Sequence, residues 1–348
     1  MRCQKLFESR RFNSLTQNVH AQVSVIIATH NRPHRLPNAI SSARSAGRDI
    51  EIIVVDDASG DETASVCQSI PGITYFRADR NQGVAGARNI GLIASSGEYI
   101  TFLDDDDVRL PNSLDEQIEV LEQYPQAAFV YGQAIPETEN GERGIAYPDR
   151  CPQGDIFWQL LTRNFIPCGS VVFRRSVVPA IGLLDDAIPR IDDWDFWVRI
   201  AEHFPAMAIE TPVIIWRQSS PASTQGSSNT VDIIARSSRH FQREFRKLPR
   251  FATASRKDQR RAWRDFSANV VEHLAWETFS AVRKAAFAGA FRSARALLSL
   301  NSAALLNLLQ RWMKPRTIDS LLKSAGGNDE LGITKTHFKK IRSDMTRQ

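Results

Sequence analysis

Short apolar runs and longer amphipathic segments alternate along residues 23–131 of this chain. The apolar runs are rich in β-branched residues and end in turn-forming residues, which is typical of buried strands, whereas the segments between them have helical periodicity. This alternation predicts right-handed β-α-β units, and therefore an α/β fold with a Rossmann-like, mostly parallel sheet flanked by helices. The predicted strands are 23–28, 51–55, 73–77, 98–103 and 127–131, and the predicted helices are 35–46, 61–68, 84–95 and 113–124.

The pattern is less regular after residue 132. It predicts helices at 155–163 and from 192 onward, strands at 170–173 and 213–216, and a serine-rich loop at 217–229. Helical periodicity continues from 231 to about 312, and the polar stretch 324–348 has no pattern that predicts packing. We therefore divide the chain into a flexible segment 1–21, a folded domain 22–230 and a helical C-terminal extension 231–348 with a loose tail.

Polar side chains follow three of the predicted strands where each strand ends. His30 follows the first, Asp57 the second, and the run Asp104–Asp107 the fourth. Ligands of mostly parallel sheets bind outside the carboxyl ends of the strands, so these clusters predict one binding rim. Adjacent carboxylates repel one another, and a hard divalent ion such as Mg²⁺ or Mn²⁺, which prefers oxygen ligands, would relieve that repulsion. A solvated acidic turn is the alternative.

Composition adds a charge asymmetry. The 348 residues carry a net charge of +5, yet the first 235 hold 20 Lys/Arg against 30 Asp/Glu, and the rest hold 24 against 9. A basic tail of this kind indicates an anionic partner. Nucleic acid, anionic lipid and the acidic front of the chain are candidates, and a solvated helical surface is the alternative.

Cysteine usage and hydropathy indicate a reduced, cytoplasmic protein. The four cysteines are far apart and have no metal-ligand spacing. No apolar segment follows the basic N-terminus as it would in a secretory signal, and no uncharged apolar run is long enough for a membrane span.

Four motifs carry a resemblance to a known family. They are VSVIIATHNR at 23–32, IVVDDAS at 53–59, NQGVAGARNIG at 81–91, and GEYITFLDDDD at 97–107, which Pro111 follows. In this order and spacing they resemble the family 2 glycosyltransferases, which have the GT-A fold. Each motif alone is weak evidence, whereas four in series are a strong signal. Looser similarity extends to about residue 224.

The resemblance implies transfer of a sugar from a nucleotide-sugar, most simply a UDP-sugar, to an acceptor hydroxyl with inversion at the anomeric carbon. It makes 22–132 the nucleotide-binding half and 133–230 the acceptor half. A divalent ion, Mn²⁺ or Mg²⁺, would neutralise the diphosphate leaving group as a Lewis acid. Asp106 is assigned to the metal, with Asp104 as a metal or ribose ligand. The residues with an implied nucleotide contact are Thr29, His30, Asp57, Arg88, Asp104 and Asp105.

Several of these positions have a structural alternative. His30 is interpreted as a stacking partner of the base or as a surface turn residue. Arg88 is interpreted as a nucleotide ligand or as an ion-pair partner of the aspartates. Asp56 is expected either to join Asp57 at the nucleotide or to cap the turn that follows the second strand. Asp107 is expected to be solvated.

The acceptor hydroxyl must lose its proton as it attacks, and a carboxylate opposite the leaving group is the simplest base. The resemblance places this base in the sequence DDWD at 192–195, where Asp192 replaces the family's usual glutamate. We assign Asp193 as the base, and Asp195 as a residue that binds the acceptor or orients Asp193. Helix capping is the alternative for one of the three acids. Trp194 is interpreted as an acceptor platform or as core.

Arg217 is a further acceptor-side candidate. In many relatives a histidine follows at about the position of Ser219 and touches the metal or the diphosphate. Its replacement means either weaker metal binding or substitution by Arg217 and loop hydroxyls such as that of Ser223.

The expected partners are a nucleotide-sugar donor and a saccharide or lipid-linked acceptor in cell-surface polysaccharide biosynthesis. The segment 236–247, which mixes basic and aromatic residues, is hypothesised to hold the protein at an anionic membrane, on the inner face of the cell membrane. Nucleic acid is not an expected partner, because the basic residues are spread over several helices without a known motif. The rival interpretations are an inactive GT-A-like binding or scaffold protein, a receiver-type signalling domain and a nucleotidyltransferase.

Overall fold

A computed structural model describes residues 22–217 and 230–283 of the chain. The expectations for 1–21, for Ser219 and Ser223, and for the tail after 283 lie outside the described residues. The strands are β1 (Val23–Thr29), β2 (Ile50–Asp56), β3 (Thr74–Arg77), β4 (Tyr99–Asp104), β5 (Val108–Arg109), β6 (Phe129–Glu137), β7 (Val171–Arg174) and β8 (Ala206–Arg217). The helices of the described ranges are α1 (Leu36–Ser45), α2 (Thr63–Ser69), α3 (Gly83–Ala94), α4 (Ser113–Gln123), α5 (Phe157–Thr162), α6 (Val178–Ile181), α7 (Asp192–His203), α8 (Thr230–Arg243), α9 (Pro249–Ala252) and α10 (Arg256–Arg283).

All eight strands form one mixed sheet in the order β3-β2-β1-β4-β7-β6-β8-β5. The first four of these strands are parallel, and β6 and β8 are parallel to each other. Strand β7 runs antiparallel to both of its neighbours, and β5 runs antiparallel to β8. The predicted α/β class, with a mostly parallel sheet between helices and a helical C-terminal region, is therefore confirmed.

The acceptor half departs most from the predicted strands. Strand β6 continues to Glu137 and β8 begins at Ala206, so both are longer than predicted, and the two-residue β5 was not predicted. In β8 the exposed Glu210 and Thr211 interrupt the pattern, which hides the first half of the strand from a search for apolar runs. Strand β5 is short because it only bridges the aspartate run to β8.

Helix α3 packs unusually close to the sheet. A Cβ atom added at Gly91 would lie 2.3 Å from Cγ2 of Ile26 in β1, so only glycine fits at this contact. Helix α3 packs on β1 and β2, and the backbone at its start binds Asp57 at the polar rim.

The helical extension shares a hydrophobic core with the sheet domain. The ring of Trp194, at the start of α7, stacks on Phe266 of α10 at 6.2 Å and meets Phe245 edge-on at 5.0 Å. Phe241, Phe251 and other residues of this extension belong to the same buried cluster as the sheet face. Aromatic packing of this extent fixes α7 between the sheet and the extension. None of the helices in the described ranges has the length and apolarity to cross a bilayer.

Candidate active site

The rim predicted from the sequence exists. In the parallel register, Thr29 of β1 lies beside Asp56 of β2, and Ala28 lies beside Asp104 of β4. The carboxyl ends of the three strands thus lie at one edge of the sheet, and the polar residues after them share that edge.

Asp56 is buried and holds its own loop. One carboxylate oxygen accepts from the backbone N–H of Ser59 at 2.8 Å, and the other accepts from the hydroxyl of Tyr75 at 2.8 Å. The capping interpretation of Asp56 is therefore confirmed.

Asp57 connects the second motif to the glycine loop before α3. Its two carboxylate oxygens accept from the backbone N–H groups of Gln82 at 2.7 Å and Gly83 at 2.8 Å. Each oxygen keeps a second lone pair, so the role of Asp57 at the nucleotide base stays a prediction.

His30 has a defined tautomer. Its Nδ1 lies 2.8 Å from the carbonyl oxygen of Asp57, and because a carbonyl only accepts, Nδ1 carries the proton. Its Nε2 accepts from Nδ2 of Asn31 at 2.9 Å. The half-buried ring is held at the rim, and its stacking on a base stays a prediction.

The aspartate run is neutralised by arginines of the first motif and α1. Arg32 Nη1 donates to Asp105 at 3.0 Å and to Asp106 at 2.9 Å, and Arg35 lies 3.9 Å from Asp106. Thr29 Oγ1 donates to Asp105 at 2.7 Å. Burial raises the pKa of Asp105 to about 6, although Arg32 and the Thr29 hydroxyl act in the opposite direction. Thr29 and Asp105 thus support each other, and their expected contact with a nucleotide stays a prediction.

Asp107 corrects one expectation. We expected a solvated side chain, but Asp107 is only 4% exposed and accepts from the backbone N–H of Arg217 at 2.9 Å. Burial, together with the charges of Asp104 and Asp106, raises its pKa well above the ordinary value. Asp107 ties the aspartate run to the end of β8.

Arg88 is a strut, that is, a buried side chain that joins the aspartate run 104–107 to the DDWD sequence at 192–195. Its guanidinium is bound to Asp104 at 2.7 Å and to Asp192 at 3.2 Å, and it lies over the ring of Phe102. The side chain is 6% exposed. Burial alone would lower the pKa of Arg88, but the surrounding negative groups raise it instead. The structure therefore supports the ion-pair alternative for Arg88, because both ends of its guanidinium hold carboxylates, and its assignment as a nucleotide ligand stays a prediction.

Asp193 is the half-buried acid of the DDWD sequence at 192–195. The backbone N–H of Trp194 donates to its Oδ1 at 2.7 Å. Burial and the neighbouring Asp192 raise the pKa of Asp193 to about 7, and the charge of Arg88 opposes them only in part. Asp193 therefore lies close to the donor-side residues, with the proton affinity of a base that works near neutrality.

Asp195 binds Arg199 and His240 and not Asp193. It accepts from Nε of Arg199 at 2.7 Å, and its other oxygen lies 2.7 Å from Nε2 of His240 in α8. The pKa of Asp195 is lowered, since these two partners outweigh the effect of burial. Asp195 thus anchors α7 to α8, and its expected role at the acceptor stays a prediction.

Trp194 belongs to the core, which corrects its assignment to the acceptor side. It is 4% exposed, its indole N–H donates to the carbonyl of Leu160, and its ring is covered by the extension. A ring with both faces covered in this way has no surface for a sugar.

Arg217 lies at an open cavity beside the aspartate run. Its Nε donates to Glu137 at 3.2 Å, and its guanidinium also reaches the side-chain oxygen of Asn38 at 2.9 Å. The cavity has a volume of about 340 Å³ and is lined by Arg35, Glu137, Thr138, Glu139, Gly141 and Arg217.

The carboxylate oxygens at the rim are of the type that a hard divalent ion prefers. Within residues 22–217 and 230–283, no group of three His, Cys, Asp or Glu side chains is arranged to hold a metal. Mg²⁺, however, commonly binds one or two carboxylates together with substrate phosphates. Asp104, with a 31% exposed side chain, and Asp106 supply such oxygens, and Arg32 already neutralises Asp106.

Sequence reasoning missed two residues of this site. Arg32 stands inside the first motif, directly past the end of β1, and that position was the signal available for it. His240 had no such signal, because it lies 45 residues from Asp195 in a helix that reads as a separate extension.

Comparison with known proteins identifies relatives of this chain. Residues 24–181 match the family model described as glycosyl transferase family 2. An uncharacterized glycosyltransferase of Haemophilus influenzae is 28% identical over 224 residues, which cover 61% of this chain and 75% of that protein. The GalNAc(5)-diNAcBac-PP-undecaprenol beta-1,3-glucosyltransferase of Campylobacter jejuni is 40% identical over 169 residues, which cover 45% of this chain and about half (53%) of that protein.

A solved structure has the same architecture. The crystal structure of S. aureus TarS 1-349 in complex with UDP-GlcNAc matches 80% of this chain and 91% of its own chain, with a TM-score of 0.50 and 14% identity. At this level of identity the likeness concerns the fold, and the fold is GT-A.

Proposed function

Because residues 24–181 form a domain of glycosyl transferase family 2 and the chain is a glycosyltransferase, we propose that it transfers a sugar from a UDP-sugar to an acceptor hydroxyl, with inversion and with Asp193 as the base. The observation that carries this proposal is the ion-pair bridge Asp104–Arg88–Asp192. This bridge holds Asp104 of the aspartate run close to Asp192, which is the neighbour of the proposed base Asp193, at the rim of the sheet.

The chemistry follows from that juxtaposition. The acceptor O–H gives its proton to a carboxylate oxygen of Asp193 while the acceptor oxygen attacks the anomeric carbon. The bond from that carbon to the diphosphate oxygen breaks, and this oxygen leaves with the electron pair. Attack opposite the leaving group inverts the anomeric carbon. Arg32 and Arg35, which contact the two middle aspartates of the run, would stabilise the negative charge of the diphosphate.

Asp106 and Asp104 would hold a divalent ion, Mn²⁺ or Mg²⁺. When bound, such an ion supplies Lewis-acid neutralisation of the diphosphate charge. The proposal is supported by the oxygen donors at the rim and by the partial exposure of Asp104.

The proposals for the donor and the acceptor are based on the relatives of this chain. A structure of the same fold contains UDP-GlcNAc, which supports a uridine nucleotide. The Campylobacter jejuni relative is named for a PP-undecaprenol-linked acceptor, which supports a lipid-linked saccharide here. A role in cell-surface polysaccharide biosynthesis, at the inner face of the cell membrane, is the corresponding proposal for location.

The donor site is tested by thermal shift. Wild-type protein is heated with UDP, GDP, CMP, dTDP and their sugars, with and without Mn²⁺. We expect a Mn²⁺-dependent rise in Tm with uridine nucleotides, and its loss in Asp106→Asn. The control Asp149→Asn, at an exposed position, should keep the rise. Absence of any rise in folded wild-type protein would refute the donor proposal.

The base is tested separately. Asp193→Asn should keep the nucleotide-dependent rise in Tm and lose about 10²–10⁴-fold in the rate of sugar transfer, because only proton removal is affected. Equal transfer by wild type and Asp193→Asn would show that the base is another residue.

A further inference from the structure

The first turns of α10 present a stripe of positive charge. Successive helix residues are separated by about 100°, which places the five cations of 256–264 within an arc of about 140°. The two acids of this stretch, Asp258 and Asp265, fall outside that arc. We call these five residues the basic stripe: Arg256, Lys257, Arg260, Arg261 and Arg264.

The opposite face of α10 is fixed in the core. Ala262, Phe266 and Val270 are buried in the cluster shared with α7 and the sheet. Asn269 Nδ2 donates to the carbonyl of Thr162 at the end of α5. With its apolar face covered, α10 directs the basic stripe to solvent, and all five side chains of the stripe are exposed.

Local ion pairs leave most of this charge in place. Asp265 lies 3.3 Å from Arg264 and 3.6 Å from Arg261. A single carboxylate offsets at most one of the two guanidiniums, and exposed pairs of this kind contribute little. The stripe therefore keeps a net charge of at least about +4.

A tryptophan borders the stripe. The ring of Trp263 packs on Phe241 at 5.3 Å and on Phe266 at 5.7 Å, yet the side chain is 38% exposed. Tryptophan beside basic residues is typical of surfaces that meet the headgroup region of a bilayer, since one part of the ring is buried and another is wet.

The aromatic residues of the segment that the sequence indicated, 236–247, are not exposed as the membrane hypothesis requires. In 236–247 the aromatic residues Phe241 and Phe245 are fully buried, and His240 is 6% exposed. These rings fill the core next to Trp194 and cannot enter a membrane. The exposed combination of cations with an indole lies on α10 instead.

We propose that the basic stripe with Trp263 is the docking surface for an anionic phospholipid bilayer. Phosphate headgroups complement the stripe in charge, and each cation near such a surface adds roughly fivefold to binding. The proposal stands independently of the sugar-transfer chemistry, because it uses no residue of the rim.

The test uses the full chain and vesicle co-sedimentation. Vesicles contain either phosphatidylcholine alone or about one third phosphatidylglycerol. The stripe variant carries Arg256→Gln, Arg260→Gln and Arg264→Gln. The matched control carries Arg44→Gln, Arg48→Gln and Arg150→Gln, which removes the same charge from exposed positions elsewhere.

We expect wild type and the control to bind the anionic vesicles and not the neutral ones, with binding weakened by added salt. The stripe variant should bind more than tenfold more weakly, since three cations are removed. Brominated lipid should quench fluorescence in wild type more than in Trp263→Phe.

Three results would overturn the proposal. They are equal binding to neutral vesicles, an equal loss in the control variant, and no vesicle binding by wild type. Binding to an RNA oligonucleotide that the stripe variant loses, without vesicle binding, would assign the surface to nucleic acid instead.

Discussion

At the scale of single residues, Asp193 differs from the acids around it in its partners. Asp192 is bound to Arg88, and Asp195 is bound to Arg199 and His240. Asp193 has the backbone N–H of Trp194 and a neighbouring negative charge. Acids with a nearby cation favour the ionised form, whereas burial next to another acid favours the protonated form. The motif therefore contains one acid suited to accept a proton and two suited to hold structure.

This difference predicts a pH dependence. A base must be deprotonated to act, and the pKa of Asp193 is raised to about 7. Sugar transfer, measured as kcat/KM, should therefore be constant above that pH and fall about tenfold per pH unit below it. The exposed-site variant Asp149→Asn should have the same profile. A rate that stays constant from pH 8 down to about 5 would contradict the assignment of Asp193.

At the scale of elements, one buried cation, Arg88 of α3, links the polar end of β4 to the start of α7. Replacing Arg88 by Met keeps an unbranched apolar stem and removes the charge that separates Asp104 from Asp192. We expect a loss of about 3–5 kcal/mol in the free energy of unfolding, measured with urea at neutral pH, because the buried carboxylate of Asp192 is left uncompensated.

The matched control is an exposed Arg–Asp pair. Arg48 is bound to Asp115 at 3.3 Å, and its side chain is 82% exposed. Arg48→Met should cost no more than about 1 kcal/mol. Equal effects of the two substitutions would mean that Arg88 is not a strut.

The packing of α3 on β1 makes a second prediction at this scale. Gly91→Ala places a methyl group against Ile26, and the helix or the strand must shift. The net loss of unfolding free energy should be about 1–3 kcal/mol, despite the better helix propensity of alanine. Gly60→Ala, where an added Cβ meets nothing within 4 Å, is the control and should change Tm little. An unchanged Tm in Gly91→Ala would show that the contact relaxes at no cost.

The same elements show what the sequence could predict. Strands β1, β2 and β4 are continuous buried runs, so periodicity locates them and their ends locate the rim. Strand β8 has exposed residues in its middle, and the apolar run 213–216 marks only its second half. The residue type also leaves the direction of a side chain undetermined. Arg88 and Asp107 were correctly predicted near the rim. Only the three-dimensional structure shows that Arg88 joins two carboxylates and that Asp107 is buried.

At the scale of the whole molecule, the described helices α8–α10 and the sheet domain share one buried core. The boundary drawn near residue 230 follows a change in composition and charge, whereas the buried cluster crosses it without interruption. The hydrogen bond between Asp195 and His240 crosses it as well. Periodicity along a chain carries no information about such contacts, because they join residues far apart in sequence.

The rings of Phe245 and Phe266 against Trp194 also limit how this protein can be altered by recombination. The residue next to Trp194 is the proposed base. A chimaera joined near residue 230 would therefore replace the residues that pack against α7, the helix that carries this base. A recombinant protein with a new acceptor preference would have to take α7 and α8–α10 together from the same relative. In this chain the packed unit is therefore larger than residues 24–181, which match the family.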